Sequence, residues 1–121
     1  MRLVQVALHA EDLGRAADFY TVLLEAAPIA RFDEPGLVFF DLDGVRLLLD
    51  RGAPASLLYL HVENLHDTLD RLDGLVDVVS PPHVTFTHHD DVLGPAGHEE
   101  WQAFITDSEG NTVGLVAFQR A

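Results

Sequence analysis

The segment VQVALHAEDLGRAADFYTVLL, residues 4–24, decides the fold of this chain. Its first part, residues 4–9, alternates between apolar and more polar side chains, as a strand with one buried face requires. Asp12 then offers an N-cap, and apolar residues recur at helical spacing from Leu13 onwards. The segment therefore predicts a strand followed by an amphipathic helix that ends near Glu25.

The same pattern returns in the second half of the chain. Residues 57–65 (LLYLHVENL) match the first segment at an offset of 52, which aligns His9 with His61. The stretches 41–45 (DLDGV) and 107–111 (DSEGN) match at an offset of 66, so the second copy carries 14 more residues ahead of its last hairpin. We infer a duplicated unit with an inserted loop.

Short extended segments separated by turn residues complete each copy. The first copy has strands predicted near 28–32, 37–42 and 45–50. The second has a helix from Asn64 to about Leu72 and strands predicted near 76–79, 84–87, 101–106 and 112–118. Residues 51–55 (RGAPA) form the linker. The predicted fold class is α+β, with one βαβββ module in residues 1–50 and another in residues 57–121. Because 121 residues are too few for two independent cores, we expect the modules to form one domain.

Composition narrows the classes of partner. The net charge of −13 repels phosphate backbones and anionic lipids, so we expect neither a nucleic-acid nor a membrane partner. There is no apolar run of the ~20 residues that span a bilayer, and Met1-Arg2 leads directly into a strand pattern. We therefore expect a cytoplasmic protein. The chain has no cysteine, which excludes a disulfide, a thiolate metal ligand and a thiol nucleophile.

Residues 4–24 and the later segment WQAFITDSEGNTVGLV, residues 101–116, together with Pro82-His83, resemble the vicinal oxygen chelate superfamily. This superfamily includes glyoxalase I, extradiol dioxygenases, methylmalonyl-CoA epimerase and the bleomycin-binding resistance proteins. The resemblance implies two βαβββ modules in tandem that form a curved mixed sheet around a cavity. It covers most of the chain but does not define one chemistry, because the superfamily uses one scaffold for several reactions and for plain binding.

The resemblance further implies metal ligands on the first and last strands of each module. The corresponding positions here are Gln5, Leu48, Leu57 and Gly114. Only Gln5 has a donor atom, whereas a divalent site needs at least three protein donors of N, O or S type. We therefore expect no metal and no other cofactor.

Strand parity adds further residues to the predicted cavity: His9, Arg46, Tyr59 and His61. His83, just after Pro81-Pro82, is added because it resembles a recurrent position of the superfamily. The two matched histidines either line the cavity or bond to strand ends, or they form a relocated metal site with Gln5. Arg46 either binds a ligand carboxylate or, as we prefer, pairs with an acidic neighbour. Tyr59 would give the cavity an aromatic wall. His83 has either a cavity role or a backbone hydrogen bond at a strand end.

The stretch THHDDVLGPAGHEE, residues 87–100, concentrates seven His, Asp and Glu residues in the region of the extra residues. Adjacent strand residues point to opposite sides and cannot all reach one ion, and the glycines and proline indicate a flexible loop. We expect a solvated loop, with a relocated metal site as the alternative.

Two classes of function remain. The favoured class is a metal-free protein that binds a small molecule, with the acidity favouring cationic or amphipathic ligands such as antibiotics. The alternative is a metal-dependent lyase, isomerase or dioxygenase that uses a displaced histidine site or a histidine base. No catalytic residue is assigned. We expect a homodimer, and the sequence leaves open whether the modules pair within one chain or swap between chains.

Overall fold

A computed structural model describes residues 2–121. The elements of the first module are β1 (Gln5–His9), α1 (Leu13–Leu24), β2 (Ala30–Phe32), β3 (Leu37–Leu42) and β4 (Val45–Asp50). Those of the second module are β5 (Leu57–His61), α2 (Leu65–Arg71), β6 (Val78–Thr87), β7 (His98–Thr106) and β8 (Thr112–Arg120). The predicted β-α-β-β-β order is confirmed in both modules. Neither helix between Arg2 and Ala121 is long or apolar enough to cross a membrane.

Each module builds its own open, four-stranded mixed sheet. In the first sheet the strand order is β1-β4-β3-β2, with β1 parallel to β4 and the other pairs antiparallel. The second sheet repeats this arrangement as β5-β8-β7-β6, with β5 parallel to β8. The chain divides into two compact units. The first unit is the chain up to Ser56 together with Asp107–Asn111, and the second is Leu57–Thr106 with Thr112–Ala121.

The core of the first unit lies between its sheet and α1. Alternate side chains along the strands point towards the helix. Five of them are fully inaccessible to solvent: Leu8, Val38, Phe40, Leu47 and Leu49. The helix buries the matching apolar stripe that the sequence predicts. Asp12 caps it by accepting a hydrogen bond from the backbone N–H of Arg15 at 2.9 Å. The helix ends at Glu25, whose φ of 54° lies in the left-handed region.

The second core follows the same principle with a shorter helix. Asn64 caps α2 by accepting from the backbone N–H of Asp67 at 3.0 Å. Leu65 and Leu72, at the two ends of this helix, are fully buried. The strands supply core residues from one side of the sheet: Ala103, Ile105, Val113, Leu115 and Ala117.

The β6–β7 hairpin differs from the sequence prediction. Two short strands are expected around Pro81-Pro82, but β6 is a single strand of 10 residues that runs through both prolines. It is an edge strand, where a missing N–H can face away from the sheet, and its pairing with β7 contains several register shifts. The strand β7 also begins at His98 instead of Trp101. The hairpin is therefore longer, and its loop shorter, than the sequence predicts.

The turn Asp107–Asn111 completes the first unit. The hydroxyl of Tyr20, which is fully buried on α1, donates to Oδ2 of Asp107 at 2.7 Å. Burial, the hydrogen bond to Asp107 and the charge of that carboxylate together raise the pKa of Tyr20 far above its ordinary value. Asp107 Oδ1 accepts the backbone N–H groups of Glu109 and Asn111, each at 2.8 Å. Asn111 Nδ2 in turn donates to the carbonyl of His9 at 2.7 Å.

Glu109 in the same turn binds the start of α1. Its carboxylate accepts from Arg15 Nε at 2.7 Å and from Arg15 Nη2 at 3.1 Å. It also accepts the backbone N–H of Asp12 at 2.8 Å. Burial alone would raise the pKa of Glu109, but the hydrogen bonds from Arg15, Asp12 and Ser108, with the charge of Arg15, lower it to about 2. Glu109 is therefore ionised at neutral pH and neutralises the positive end of the helix.

Candidate functional site

Each sheet has one side that packs on its helix and one side that does not, and we call the second the helix-free face. Cross-strand pairing places Gln5 beside Arg46 and Ala7 beside Leu48 on the helix-free face of the first module. On that of the second module, pairing places Leu57 beside Thr112, Tyr59 beside Gly114 and His61 beside Val116. The residues that the sequence singles out on these strands therefore lie on the helix-free faces. The alternate positions face the helices, and most of those on β4 and β8 are fully buried.

Arg46 has a neutral partner and an aromatic neighbour. Its Nε donates to Oε1 of Gln5 at 3.0 Å, and its guanidinium carbon lies 5.7 Å from the centre of the Phe39 ring. Among residues 2–121 it forms no ion pair with a carboxylate. The salt bridge that the sequence favours for Arg46 is therefore not formed. The next residue on this face, Leu48, is buried at 8% exposure and supplies no donor atom.

His9 is held at the end of β1 by local contacts. Its Nδ1 lies 3.0 Å from the carbonyl oxygen of Ala53, and its Nε2 lies 3.4 Å from a carboxylate oxygen of Glu11. Both ring nitrogens thus have partners close to the strand end. This environment matches the interpretation of His9 as a histidine bonded at a strand end.

Tyr59 covers the position at which the superfamily resemblance implies a metal ligand on β8. A Cβ atom added to Gly114 would lie 2.7 Å from Cδ2 of Tyr59 and 3.2 Å from Cε1 of Phe104. The rings of Tyr59 and Phe104 meet edge to face with centroids 5.7 Å apart. No side chain fits at residue 114 while Tyr59 occupies this place. Tyr59 and Leu57 nevertheless remain 54% and 47% exposed, so this aromatic and aliphatic surface is accessible.

The other two predicted histidines have different environments. The ring of His61 lies 5.7 Å from that of Phe118 at an angle of 33°, and the side chain is exposed. His83 is also exposed, and its Nδ1 lies 2.8 Å from the carbonyl oxygen of Pro81. The backbone contact that the sequence leaves open for His83 is therefore present. Of these two histidines, His61 is the one whose ring lies against an aromatic residue of β8.

A buried polar cluster on the second module is missing from the sequence prediction. His88 Nε2 lies 2.9 Å from Oε1 of Glu100, with the N–H donating because the carboxylate only accepts. Gln102 Nε2 donates to the other oxygen of Glu100 at 2.6 Å. The three residues are 7–9% exposed, and we call them the buried polar trio. The ring of His88 also lies between those of Phe86 and Phe118, at 6.0 and 5.9 Å.

The expectation of a wholly solvated 87–100 stretch is therefore wrong for His88 and Glu100. The reason is the longer hairpin, in which His98, Glu100 and Gln102 alternate along β7 on the helix-free face. That alternation is visible in the sequence HEEWQ once the strand is started at His98. Gly94 in the loop lies against this cluster, because a Cβ there would meet Nε2 of His88 at 2.7 Å.

The described residues do not fit the metal that the resemblance implies. Leu48 and Leu57 have no donor atoms, the Gln5 oxygen already accepts from Arg46, and Tyr59 fills the space above Gly114. Across residues 2–121, no three His, Asp or Glu side chains are grouped closely enough to hold an ion. This includes the relocated sites that the sequence leaves open around His9, His61 and the 87–100 stretch.

Comparison with known proteins identifies the fold. No protein-family profile matches the sequence, and no curated protein matches it. Solved structures do match over nearly the whole chain. A glyoxalase/bleomycin resistance protein/dioxygenase superfamily member from Sphaerobacter thermophilus is 17% identical with a TM-score of 0.72, covering 97% of each chain. TioX from Micromonospora is 17% identical with a TM-score of 0.70, covering 97% of this chain and 98% of its own.

A glyoxalase-related enzyme from Fulvimarina pelagi is 17% identical with a TM-score of 0.68, covering 96% of this chain and 87% of that protein. At these identities the likeness establishes architecture and not chemistry. The chain has a vicinal oxygen chelate-like fold, made of two βαβββ modules with open mixed sheets.

Proposed function

We propose that this protein binds a small organic molecule on the helix-free face of its second module. The observation that carries the proposal is the combination of exposed Leu57, Tyr59 and Phe86 with the buried polar trio on the same sheet face. Binding sites for small molecules are mostly apolar and aromatic, with a few well-placed polar groups that orient the ligand. Four aromatic or imidazole rings pack in sequence along this face, which gives a surface able to stack a flat ligand.

The ligand class that best suits this face is a cationic or amphipathic aromatic compound. The faces of Tyr59 and Phe86 are electron-rich and attract cations. Glu100 contributes a carboxylate that Gln102 and His88 orient. The overall charge of −13 raises the local concentration of cations further at low salt. These features favour cationic antibiotics over anionic metabolites as ligands of this face.

The competing class is a lyase, isomerase or dioxygenase with a displaced metal. It would need at least three donor side chains around one point. The described residues bring no such group together, so the binding function is supported better. We further propose, from the resemblance alone, a homodimer, which sedimentation velocity on the purified protein would test. We also propose a cytoplasmic location, which the sequence pattern leads us to expect.

A thermal-shift screen tests the binding function. The panel contains bleomycin and other cationic aromatic compounds with uncharged and carboxylate compounds of similar size, at low and high salt. We expect the cationic aromatic compounds to raise the melting temperature most, and more at low salt. Tyr59→Ala should remove the shift.

The matched control is Phe32→Ala, which removes an aromatic residue of similar exposure, 50%, from the first module. It should leave the shift unchanged. The proposal is contradicted if no aromatic compound, cationic or neutral, produces a shift that depends on Tyr59.

A further inference from the structure

Arg46 lacks the carboxylate partner that Arg15 and Arg31 have. The chain has 20 acidic residues, seven arginines and no lysine, so carboxylates are plentiful. Arg15 pairs with Glu109, and Arg31 lies 3.8 Å from Asp33. Arg46 instead bonds the neutral amide of Gln5 and lies over Phe39. Within the described residues Arg46 therefore forms no ion pair with a carboxylate.

Within the described residues, the Nε atom of Arg46 has a hydrogen-bond partner and the two terminal nitrogens of its guanidinium have none. Nε donates to Gln5, and Phe39 supports the planar group from one side. Neither terminal nitrogen donates a hydrogen bond within residues 2–121. A guanidinium with two free N–H groups in one plane matches the two oxygens of a carboxylate. Because Gln5 and Phe39 already orient the group, less side-chain entropy is lost when an anion binds.

The nearest competitor on this face is Asp41. It is the cross-strand partner of Arg46 on β3, and it is exposed. Its Oδ1 accepts the backbone N–H of Gly44 at 3.1 Å, which satisfies part of the carboxylate within its own turn. Arg46 and Asp41 thus lie side by side without forming an ion pair. Asp41 lowers the affinity of the face for anions but does not occupy the guanidinium.

We propose that Arg46, oriented by Gln5 and Phe39, binds the carboxylate of a small molecule that carries an apolar or aromatic group. The apolar part would contact Phe39 and Ala7, two half-buried positions of the same face. This site lies on the first module and does not depend on the ligand surface proposed for the second module.

Side-chain NMR tests the site directly, because seven arginines give seven Nε–Hε signals without lysine overlap. The protein is titrated with phenylacetate, and separately with phenylacetamide, phenethylamine and inorganic phosphate at matched ionic strength. The Arg46 signal is assigned by its loss in Arg46→Lys. We expect phenylacetate to shift this signal saturably, with a dissociation constant on the order of 1 mM. The amide and the amine should leave it unchanged, and phosphate should shift it less.

Variants separate orientation from charge, with binding followed by backbone amide shifts in β3 and β4. Arg46→Lys keeps the charge but loses the planar fork, so phenylacetate should bind about fivefold more weakly. Asp41→Asn removes the competing carboxylate and should tighten binding about twofold. Arg31→Gln is the matched control, because it removes another exposed arginine of the first unit, and it should have no effect.

The site is refuted if all seven arginine signals move together, or if Arg46→Lys binds phenylacetate as well as the unchanged protein. It is also refuted if Asp41→Asn moves the Arg46 signal strongly while phenylacetate does not, because Arg46 then pairs with Asp41 in solution. Tyr59→Ala should leave the phenylacetate titration unchanged. A failure at Arg46 is thereby distinguished from a failure of the ligand surface on the second module.

Discussion

Replacement of Gly114 by alanine tests the packing that blocks the position of the implied metal ligand. The new Cβ would lie 2.7 Å from Cδ2 of Tyr59, closer than Cβ atoms approach their neighbours in folded proteins, and 3.1 Å from Cε2, which is also a tight contact. The backbone of Gly114 has the ordinary conformation of a strand, so an alanine at this position would not strain the backbone. The glycine-to-alanine change alone would stabilise the strand by roughly 0.5–1 kcal/mol through the unfolded state. The steric conflict acts in the opposite direction.

The size of that conflict follows from what Tyr59 loses when its ring moves away. The ring makes an edge-to-face contact with Phe104 at 5.7 Å, a geometry that contributes roughly 0.5–1.5 kcal/mol. Tyr59 is 54% exposed, so about half of its apolar surface is packed. At ~25 cal/mol per Å² this packing contributes up to about 2.5 kcal/mol. Since a partial displacement suffices, we expect Gly114→Ala to lower the free energy of unfolding by about 1–2 kcal/mol.

A double-mutant cycle with Tyr59→Ala isolates the contact. Urea unfolding, followed by tryptophan fluorescence, gives the free energy for the unchanged protein, the two single variants and the double variant. In the Tyr59→Ala background, Gly114→Ala should be neutral or stabilising, because the two nearest atoms belong to the Tyr59 ring and the next, Cε1 of Phe104, lies at 3.2 Å. The expected coupling is about 1–2 kcal/mol. If the two changes are additive within about 0.3 kcal/mol, Tyr59 does not lie over Gly114 in solution.

The remaining predictions concern the sheet register, acid stability and metal content. Leu57→Glu should fold and stay soluble, whereas Leu58→Glu, on the face towards α2, should be strongly destabilised. Solubility and circular dichroism measure both outcomes. The reverse result would mean that the two faces of β5 are assigned the wrong way round. The pKa of Glu109 is lowered from 4.5 to about 2, so its contribution to stability is complete above pH 4.5 and is lost as the pH falls towards 2. The lowered pKa corresponds to at most about 3–4 kcal/mol of stability. Because Arg15 is half-exposed, solvent screens the ion pair and reduces this contribution to about 1–2 kcal/mol. When the pH is lowered from 5 to 2, the free energy of unfolding of Glu109→Gln should therefore fall by less than that of the unchanged protein, as measured by urea titrations. Equal losses would count against the ion pair. Untagged protein should contain well under one transition metal per chain by elemental analysis, and a chelator should not change its melting temperature; stoichiometric metal would show that the donor argument fails.

The faces of the strands could be predicted from the sequence because alternation is a local property. The pattern from Val4 to His9, and its repeat at Leu57, determine which side chains lie under a helix and which do not. The caps at Asp12 and Asn64 are equally local, since a short polar side chain needs only the next helical turn. The β-α-β-β-β order of each module follows from these elements, whereas the arrangement of the strands in mixed sheets is implied by the superfamily resemblance.

The partners of the polar residues could not be predicted in the same way. Whether Arg46 pairs with a carboxylate or with an amide depends on side-chain rotamers. It also depends on the turn in which the Asp41 carboxylate accepts the backbone N–H of Gly44. The buried polar trio was missed for a different reason. Pro81-Pro82 and the polar residues before Trp101 indicate a loop, but an edge strand tolerates the prolines and the hairpin continues to His98. The burial of His88 and Glu100 is a tertiary consequence of that longer hairpin.

Because of the Asp107–Asn111 turn, the first compact unit of the structure is not the same as the first copy of the sequence repeat. A chain cut after Ser56 would retain β1 to β4 and α1 in full. It would lack the carboxylate that accepts the buried hydroxyl of Tyr20, and an unsatisfied buried hydroxyl costs about 1–3 kcal/mol. It would also lack Glu109 at the first turn of the helix. The first module on its own is thus an incomplete folding unit, and it would be completed only if the same turn were supplied by another chain.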